Sequence, residues 1–232
     1  MTKKVKVIGH RGARGYVMQN SLASFQKALD LGVDCVELDV WQCKSGEIVV
    51  FHDQRLEHLS SGFGLIVDHT WEQLQQIKLE DGSAIPTLQQ VLDVVNRQCV
   101  VNIELKGPQA AGSVSQIVTN YLGQGWSAQD FLITSFNHIE LQAFHKLSPQ
   151  IPFGPIIEAI PLGYADFAQA MGATHLVLDF SCAISEFVAD AQARQIQVLV
   201  YTVNYPVDIT AMLEIGVDGI ISDYPDRVLV NL

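Results

Sequence analysis

The chain has 232 residues, of which 48% are hydrophobic and 17% are charged. This length can bury the core of one large α/β domain or of two small ones. Its net charge is -11 and no basic cluster is present, which argues against a nucleic-acid partner. No apolar run approaches the roughly 20 residues of a membrane span, so none is expected.

The cysteines and the N-terminal residues predict a cytoplasmic protein. The four cysteines show neither metal-binding spacing nor a dense framework, and this is typical of reduced thiols. Residues 1–4 lead directly into an apolar run, without the long apolar segment of a secretory signal.

Eight short apolar runs predict buried β-strands. In chain order they are Val5–Gly9, Cys35–Val40, Val100–Leu105, Phe131–Ser135, Pro152–Ile156, His175–Leu178, Gln197–Thr202 and Gly219–Ser222. Amphipathic segments between them include Ser21–Leu31, Gly163–Met171 and Pro206–Ile215, and a short helix is expected near Asp226–Val230.

One helix-to-strand layout occurs three times, in Leu31–Asp39, Met171–Asp179 and Ile215–Asp223. A helix ends, glycine supplies a left-handed turn, an apolar strand follows, and aspartate comes at its end; this repeat predicts parallel strands. Eight βα units in 232 residues predict a TIM (β/α)8 barrel. A doubly wound open sheet is the alternative, weakened because no GxGxxG follows the first strand.

The connection between the second and third predicted barrel strands is unusually long. Thr87–Asn96, led by Pro86, is expected to be the regular barrel helix. We therefore expect one catalytic domain over residues 1–232 with an insertion at about 53–85, containing a short helix at Trp71–Ile77. The insertion is either a functional lid or a surface loop.

Two pairs of charged residues at strand ends suggest a metal site. Glu37 and Asp39 are two apart on one strand, so they share a face, and buried acids on one face need a cation between them. Glu104 and Lys106 repeat this spacing on the next barrel strand. Oxygen ligands favour Mg²⁺ or Ca²⁺, with Mn²⁺ as an alternative. The competing interpretations are an Asp39 turn cap, a Glu37–lysine pair and a Glu104–Lys106 surface pair.

Two histidines also follow apolar runs. His10 precedes Arg11, and His52 follows Ile48–Phe51. Imidazole suits general acid and base roles, and the guanidinium fork matches phosphate oxygens. Either histidine could instead be structural. Asp179 and Asp223 also end strands and could line the site, although aspartate is common at such turns and the Tyr-Pro after Asp223 favours a turn role for it.

Charge balance favours a phosphoester as the substrate. The net charge of the site is zero when three carboxylates, a divalent metal, two cationic side chains and a phosphodiester are counted together. A carboxylic ester would leave the site positive and would give Arg11 and Lys106 no anion to bind.

Motifs across almost the whole chain resemble those of the glycerophosphodiester phosphodiesterase family. They are His10–Gly12, Asn20–Phe25, Val36–Val40, Val49–Asp53, Ile85–Leu88, Asn102–Lys106, Ser135-Phe136, Tyr201–Asn204 and Asp218–Asp226.

The resemblance implies a TIM barrel with a small insertion after the second strand. It also implies hydrolysis of glycerophosphodiesters to glycerol 3-phosphate and an alcohol. By matching position, Glu37, Asp39 and Glu104 would be the metal ligands, His10 and His52 the acid and base, and Arg11 and Lys106 the phosphate-binding cations.

Two positions depart from the family pattern. Gln19 stands where the family usually has glutamate, which removes a negative charge near the site. Tyr201 stands where it usually has tryptophan, which keeps an aromatic substrate-binding wall and adds a hydroxyl.

Three functions follow from these patterns. The first is hydrolysis, in which either water or the glycerol 2-hydroxyl is the nucleophile. The second is a phospholipase-like lyase that stops at a cyclic phosphate. The third is a non-catalytic barrel that binds a phosphorylated metabolite.

Overall fold

The computed structural model describes residues 5–232, so the prediction for residues 1–4 lies outside the described part. The described residues form one nine-stranded sheet. Its strands are β1 (Lys6–Gly9), β2 (Cys35–Gln42), β3 (Ile48–Val50), β4 (Val100–Leu105), β5 (Phe131–Ser135), β6 (Phe153–Ile157), β7 (His175–Asp179), β8 (Gln197–Tyr201) and β9 (Gly219–Ser222).

Eight of these strands are parallel and close into a barrel. β1 pairs with both β2 and β9, and the remaining barrel strands follow one another around the ring in chain order. The predicted TIM barrel is therefore confirmed, and the open sheet is wrong. β3 is the exception, because it lies outside the barrel and pairs antiparallel with β2.

Helices alternate with the barrel strands. They are α1 (Leu22–Leu31), α2 (Trp71–Leu74), α3 (Leu88–Val95), α4 (Ala110–Leu122), α5 (His138–Leu147), α6 (Asp166–Met171), α7 (Ser185–Ala193), α8 (Pro206–Ile215) and α9 (Pro225–Leu229). None of the helices within residues 5–232 is long and apolar enough to cross a membrane.

Local sequence explains where α1 and α3 begin and end. The Ser21 hydroxyl accepts from the backbone N–H of Ser24, and Gly32 ends α1 in a left-handed conformation with φ of 79°. Thr87 and Asn96 cap α3 rather than belonging to it, so the predicted helix was one residue too long at each end. Pro86 precedes the cap, and its carbonyl accepts from Val50.

Period-two alternation divides each barrel strand between two environments. On β2, Val36 and Leu38 point outward and join the main core between barrel and helices. The inward positions form a smaller apolar layer inside the barrel. This layer contains Ile8, Cys35, Leu132, Ile156, Val177, Leu199 and Ile221. Further along each strand, the inward positions face the catalytic end of a TIM barrel.

Residues 53–85 form a packed insertion between β3 and α3. Leu56, Ile66 and Leu74 are buried against Trp41 and Phe51 in an apolar cluster separate from the main core. Its helix α2 is shorter than the predicted Trp71–Ile77. The two ends of the insertion meet, since the Val50 N–H donates to the Pro86 carbonyl at 2.8 Å.

Candidate active site

Three buried carboxylates meet at the carboxyl end of the barrel. Glu37 and Asp39 point inward from β2, and Glu104 lies beside Asp39 on β4 in the strand register. One oxygen from each carboxylate lies within 4.8 Å of one from each of the others. All three side chains are buried. The sequence placed these residues together, and the structure shows the same grouping.

The neighbouring cations do not fully neutralise the negative charge of the three carboxylates, and this shifts the pKa values of the carboxyl groups. Burial, followed by repulsion from Asp39 and Glu104, raises the pKa of Glu37 well above its ordinary value. Burial and Asp39 raise the pKa of Glu104 to about 7, although Lys106 opposes them. For Asp39, burial alone would raise the pKa, but the nearby cations Arg11 and Lys106 outweigh it and lower the pKa.

His10 is held at the edge of the cluster by Asp223. Nδ1 of His10 lies 2.6 Å from Oδ1 of Asp223, and Nε2 lies 4.0 Å from Oε2 of Glu37. Since an ionised carboxylate only accepts, Nδ1 carries the proton and Nε2 faces the site. Burial lowers the pKa of His10, against the raising effect of Asp223.

Arg11 contacts two of the three carboxylates. Its backbone N–H donates to Oε2 of Glu37 at 2.9 Å, and its Nε lies 3.3 Å from Oδ2 of Asp39. Its Nη1 donates to the Gln19 side-chain oxygen. Gln19 therefore contacts Arg11 through a neutral amide. The glutamate that the family usually has at this position would neutralise more of the guanidinium charge.

The turn after β1 depends on glycine. Gly12 has φ of 84°, and a Cβ there would lie 2.4 Å from the Ser24 hydroxyl oxygen. The turn carries His10 and Arg11 toward the site, so a side chain at this position would displace both.

His52 and Lys106 lie on the other side of the cluster. Nδ1 of His52 lies 2.6 Å from Oδ1 of Asp53, and Nε2 lies 3.4 Å from Nζ of Lys106. Nζ of Lys106 is also 2.9 Å from Oε1 of Glu104 and 3.7 Å from Oδ1 of Asp39. Burial lowers the pKa of His52 and Lys106 opposes its protonation, so both histidines favour the neutral form.

Tyr201 and Phe136 line one side of the cavity, and Nζ of Lys106 lies 5.7 Å from the Phe136 ring centroid. The Tyr201 hydroxyl donates to Oε1 of Glu158 at 3.1 Å, and the Phe136 ring meets the tyrosine ring edge-on at a centroid distance of 6.2 Å. The cavity is lined by His10, Glu37, Asn102, Glu104, Thr134, Phe136, Ile156, Val177, Tyr201 and Ile221.

The sequence missed the partners of the predicted site residues. Asp223 supports His10, and the Asn204 amide donates to Oδ2 of Asp223 at 2.9 Å. The Asn20 amide donates to Oδ2 of Asp39 at 2.9 Å. The turn interpretation of Asp223 accounts for its backbone but not for its side chain. Asp223 follows the inward-facing Ile221 by two residues, and this spacing was the signal in the sequence that its side chain faces the site.

The raised carboxyl pKa values predict that the stability of the metal-free protein falls as pH rises, the reverse of the effect of carboxyl groups with lowered pKa values. Above about pH 4.5 the unfolded chain releases protons that the folded protein still holds on Glu37 and Glu104, so stability falls as pH rises. The buried histidines act oppositely, but only below their unfolded value of 6.5. In EDTA, we expect the free energy of unfolding to fall by about 1–2 kcal/mol from pH 6.5 to 8.

Urea titrations at pH 6.5, 7 and 8 measure this slope. A divalent ion held by the cluster would bind its deprotonated form, so added Mn²⁺ is expected to raise stability most at pH 8. Glu37→Gln should flatten the slope in EDTA. A wild-type slope that Glu37→Gln leaves unchanged would contradict this account of the cluster.

The fold and the position of these residues place the chain among the TIM-barrel enzymes, whose active sites lie at the carboxyl end of the strands. Within that class, the model of the glycerophosphoryl diester phosphodiesterase family matches residues 10–227. The chain belongs to this family, and the resemblance seen in its motifs is confirmed.

Relatives match over nearly their whole length. The glycerophosphodiester phosphodiesterase of Caldanaerobacter subterraneus subsp. tengcongensis is 31% identical over 238 residues, covering 99% of this chain and 98% of the relative. That of Bacillus altitudinis is 32% identical over 237 residues, covering 97% and 96%. The structure of an Oleispira antarctica phosphodiesterase in complex with the product sn-glycerol-3-phosphate superposes with a TM-score of 0.89, 29% identity, and 97% and 95% coverage.

Proposed function

We propose that the protein is a divalent-metal-dependent hydrolase of glycerophosphodiesters, releasing glycerol 3-phosphate and an alcohol. The observation that carries the proposal is the buried carboxylate cluster flanked by Arg11 and Lys106. Family membership and the product bound to the Oleispira antarctica relative support it.

The donor set fits a hard divalent cation. Glu37, Asp39 and Glu104 would hold Mg²⁺ or Ca²⁺, with Mn²⁺ as an alternative, because all three offer oxygen ligands from a buried, mutually repelling cluster. When bound, such an ion polarises a phosphate oxygen and stabilises negative charge in the transition state.

Arg11 and Lys106 bind the phosphate in this proposal. Their side chains flank Asp39 from two sides, so a phosphate over the cluster meets a cation on each. The guanidinium orients two oxygens as a fork, while the ammonium acts as a point charge.

The two histidines move the protons. Each has its Nδ1 fixed on an aspartate, which leaves Nε2 as the exchanging atom. One accepts the proton of the nucleophile, which is water or the glycerol 2-hydroxyl, and the other donates to the leaving alkoxide. Tyr201 forms part of the aromatic wall against which one arm of the diester packs.

We also propose that residues 1–232 act as one catalytic domain with the insertion at 53–85. The four cysteines are free thiols, which supports a cytoplasmic location. The substrate is a small molecule in this proposal, and the acidic composition gives no support for a nucleic-acid partner.

An assay with glycerophosphocholine and glycerophosphoethanolamine tests the function. The protein is first stripped in EDTA and then supplied with Mg²⁺, Ca²⁺ or Mn²⁺. We expect glycerol 3-phosphate to form only with metal restored. Full activity after exhaustive metal removal would refute the metal dependence, and phosphorus NMR showing a stable cyclic phosphate would refute hydrolysis as the outcome.

Asp223 is predicted to act through His10. Asp223→Asn should lower kcat by at least about 10-fold with little change in KM, because an amide lacks the negative charge that fixes the Nδ1–H tautomer and can turn its NH2 group toward Nδ1. In a His10→Ala background the same change should cost much less. Equal losses in both backgrounds would mean that Asp223 acts independently of His10, and Asp226→Asn serves as the nearby control.

A further inference from the structure

The turn before α1 brings an asparagine side chain against one of the buried carboxylates. Asn20 has φ of 55°, in the left-handed region that asparagine adopts more readily than most residues. Its backbone N–H donates to the Arg11 carbonyl at 3.1 Å, and its amide Nδ2 donates to Oδ2 of Asp39 at 2.9 Å. Asn20 is only 2% exposed, so the surrounding atoms fix the direction of its side chain.

The two carboxylate oxygens of Asp39 have different surroundings. Oδ2 accepts from Asn20 and lies 3.3 Å from Nε of Arg11, whereas Oδ1 lies 3.7 Å from Nζ of Lys106. The same Nζ is 2.9 Å from Oε1 of Glu104, so Oδ1 is on the side of the neighbouring carboxylate. The hydrogen bond to Oδ2 therefore holds the carboxylate plane with Oδ1 directed at the carboxylate cluster.

Arg11 and Asp39 are close together, but they do not form a closed pair. Although Nε of Arg11 lies 3.3 Å from Oδ2 of Asp39, it has no hydrogen-bond partner among residues 5–232. The guanidinium donates through Nη1 to the Gln19 side-chain oxygen instead. Two consecutive amides thus hold the two charged groups, a carbonyl oxygen the guanidinium and an NH2 group the carboxylate.

Stability alone does not account for the asparagine. Its Oδ1 is buried without a hydrogen-bond partner in the part of the chain that the structure describes, and such an atom destabilises a fold. Glycine would satisfy the left-handed backbone at position 20 and would bury no polar side-chain atom. What asparagine adds over glycine at this position is the hydrogen bond from Nδ2 to Asp39.

We propose that Asn20 is a positioning residue that keeps the Arg11–Asp39 pair open and turns Oδ1 of Asp39 toward a bound divalent ion. This inference rests on the proposed function, in which the carboxylate cluster holds that ion. Without the amide, the carboxylate is free to rotate and to form two parallel hydrogen bonds with the guanidinium. The closed pair would compete with the ion for Asp39 and with the phosphate for Arg11.

Glycine at position 20 separates the role of the amide from that of the backbone. Asn20→Gly removes the hydrogen bond to Asp39 and still allows a positive φ. We expect Mn²⁺ affinity, measured by calorimetry, to fall by about 10- to 100-fold, as is typical when a partner of a metal ligand is lost. Asn96→Gly is the matched control, because Asn96 also has a positive φ, of 41°, but caps the far end of α3 and is exposed. It should keep the wild-type affinity, and wild-type affinity in folded Asn20→Gly protein would overturn the proposal.

A double-mutant cycle tests whether Arg11 is the competitor. If the pair closes when the amide is lost, Arg11→Ala should raise Mn²⁺ affinity by at least about 3-fold more in the Asn20→Gly background than in the wild-type protein. An equal effect in both backgrounds would contradict closure of the pair, because a purely structural role of Asn20 would not depend on the guanidinium.

Nuclear magnetic resonance of the wild-type protein tests the same point without a variant. In protein labelled with ¹⁵N at asparagine, we expect the Asn20 NH2 group to stay hydrogen-bonded and to exchange slowly with solvent when Mg²⁺ is added. Release of this group on Mg²⁺ binding would overturn the proposal, because Oδ2 would then be the oxygen on the ion. Failure of wild-type protein to bind Mn²⁺ or Mg²⁺ would instead refute the metal dependence of the proposed function, and this inference with it.

Discussion

Alanine at His10 or at His52 is expected to lower kcat by about 10²- to 10⁴-fold, the range typical of general acid and base groups. Each imidazole presents Nε2 to the site from a ring fixed at Nδ1 by an aspartate. In the proposed function, each substitution would remove a proton-transfer group and leave Arg11 and Lys106 in place. Steady-state kinetics with glycerophosphocholine in saturating Mn²⁺ measure the effect, and near-normal turnover in either variant would refute its role.

His175→Ala provides the matched control for these variants. His175 is also a buried barrel histidine, but it lies at the start of β7, at the opposite end of the strands. It should lose stability without a comparable fall in kcat.

A diester with a 4-nitrophenol leaving group distinguishes acid from base. Because 4-nitrophenolate leaves without protonation, the variant lacking the general acid should lose much less activity on this ester than on the choline ester. The variant lacking the base should be equally impaired on both.

Neutral isosteres of the carboxylates are expected to abolish metal binding. Asp39→Asn should have the largest effect, because Arg11 and Lys106 keep this carboxylate ionised whereas its neighbours favour protonation. We expect Mn²⁺ affinity and kcat/KM each to fall by about 10²-fold or more in Glu37→Gln, Asp39→Asn and Glu104→Gln.

Calorimetric titration with Mn²⁺ measures this loss directly. Circular dichroism reports whether each variant is folded, and Glu214→Gln controls for the loss of one acidic charge. Wild-type Mn²⁺ affinity in a folded Asp39→Asn protein would exclude the carboxylate cluster as the metal site. The higher affinity expected at pH 8 than at pH 6 follows from the pKa of Glu104 near 7.

Strand periodicity made most of the fold and the central cluster predictable. Glu37 and Asp39 share a face because side chains alternate along β2, and parallel strands bring Glu104 beside them. Both the shared face and the neighbouring position follow from strand geometry, without knowledge of any specific long-range contact. The barrel strands accordingly match the predicted runs to within two residues at their ends.

Contacts that depend on barrel closure could not be predicted in the same way. The His10–Asp223 pair joins residues 213 positions apart and exists because β1 pairs with β9. The direction of β3 was also hidden, since a short apolar run looks the same in a parallel and an antiparallel strand. The extension of β2 to Gln42 follows from this antiparallel pairing.

The meeting of the two ends of the insertion has a consequence for how family members can diverge. The chain leaves the barrel after β3 and returns at Pro86, which bonds back to Val50 on the same strand. His52 lies two residues after β3, next to Phe51, whose N–H donates to the Asp39 carbonyl on β2 at 3.0 Å and whose ring packs in the apolar cluster of the insertion. Changes in length at the exposed turns of residues 54–85 are therefore expected to be tolerated, provided that the apolar cluster with Trp41 and Phe51 beside His52 is kept.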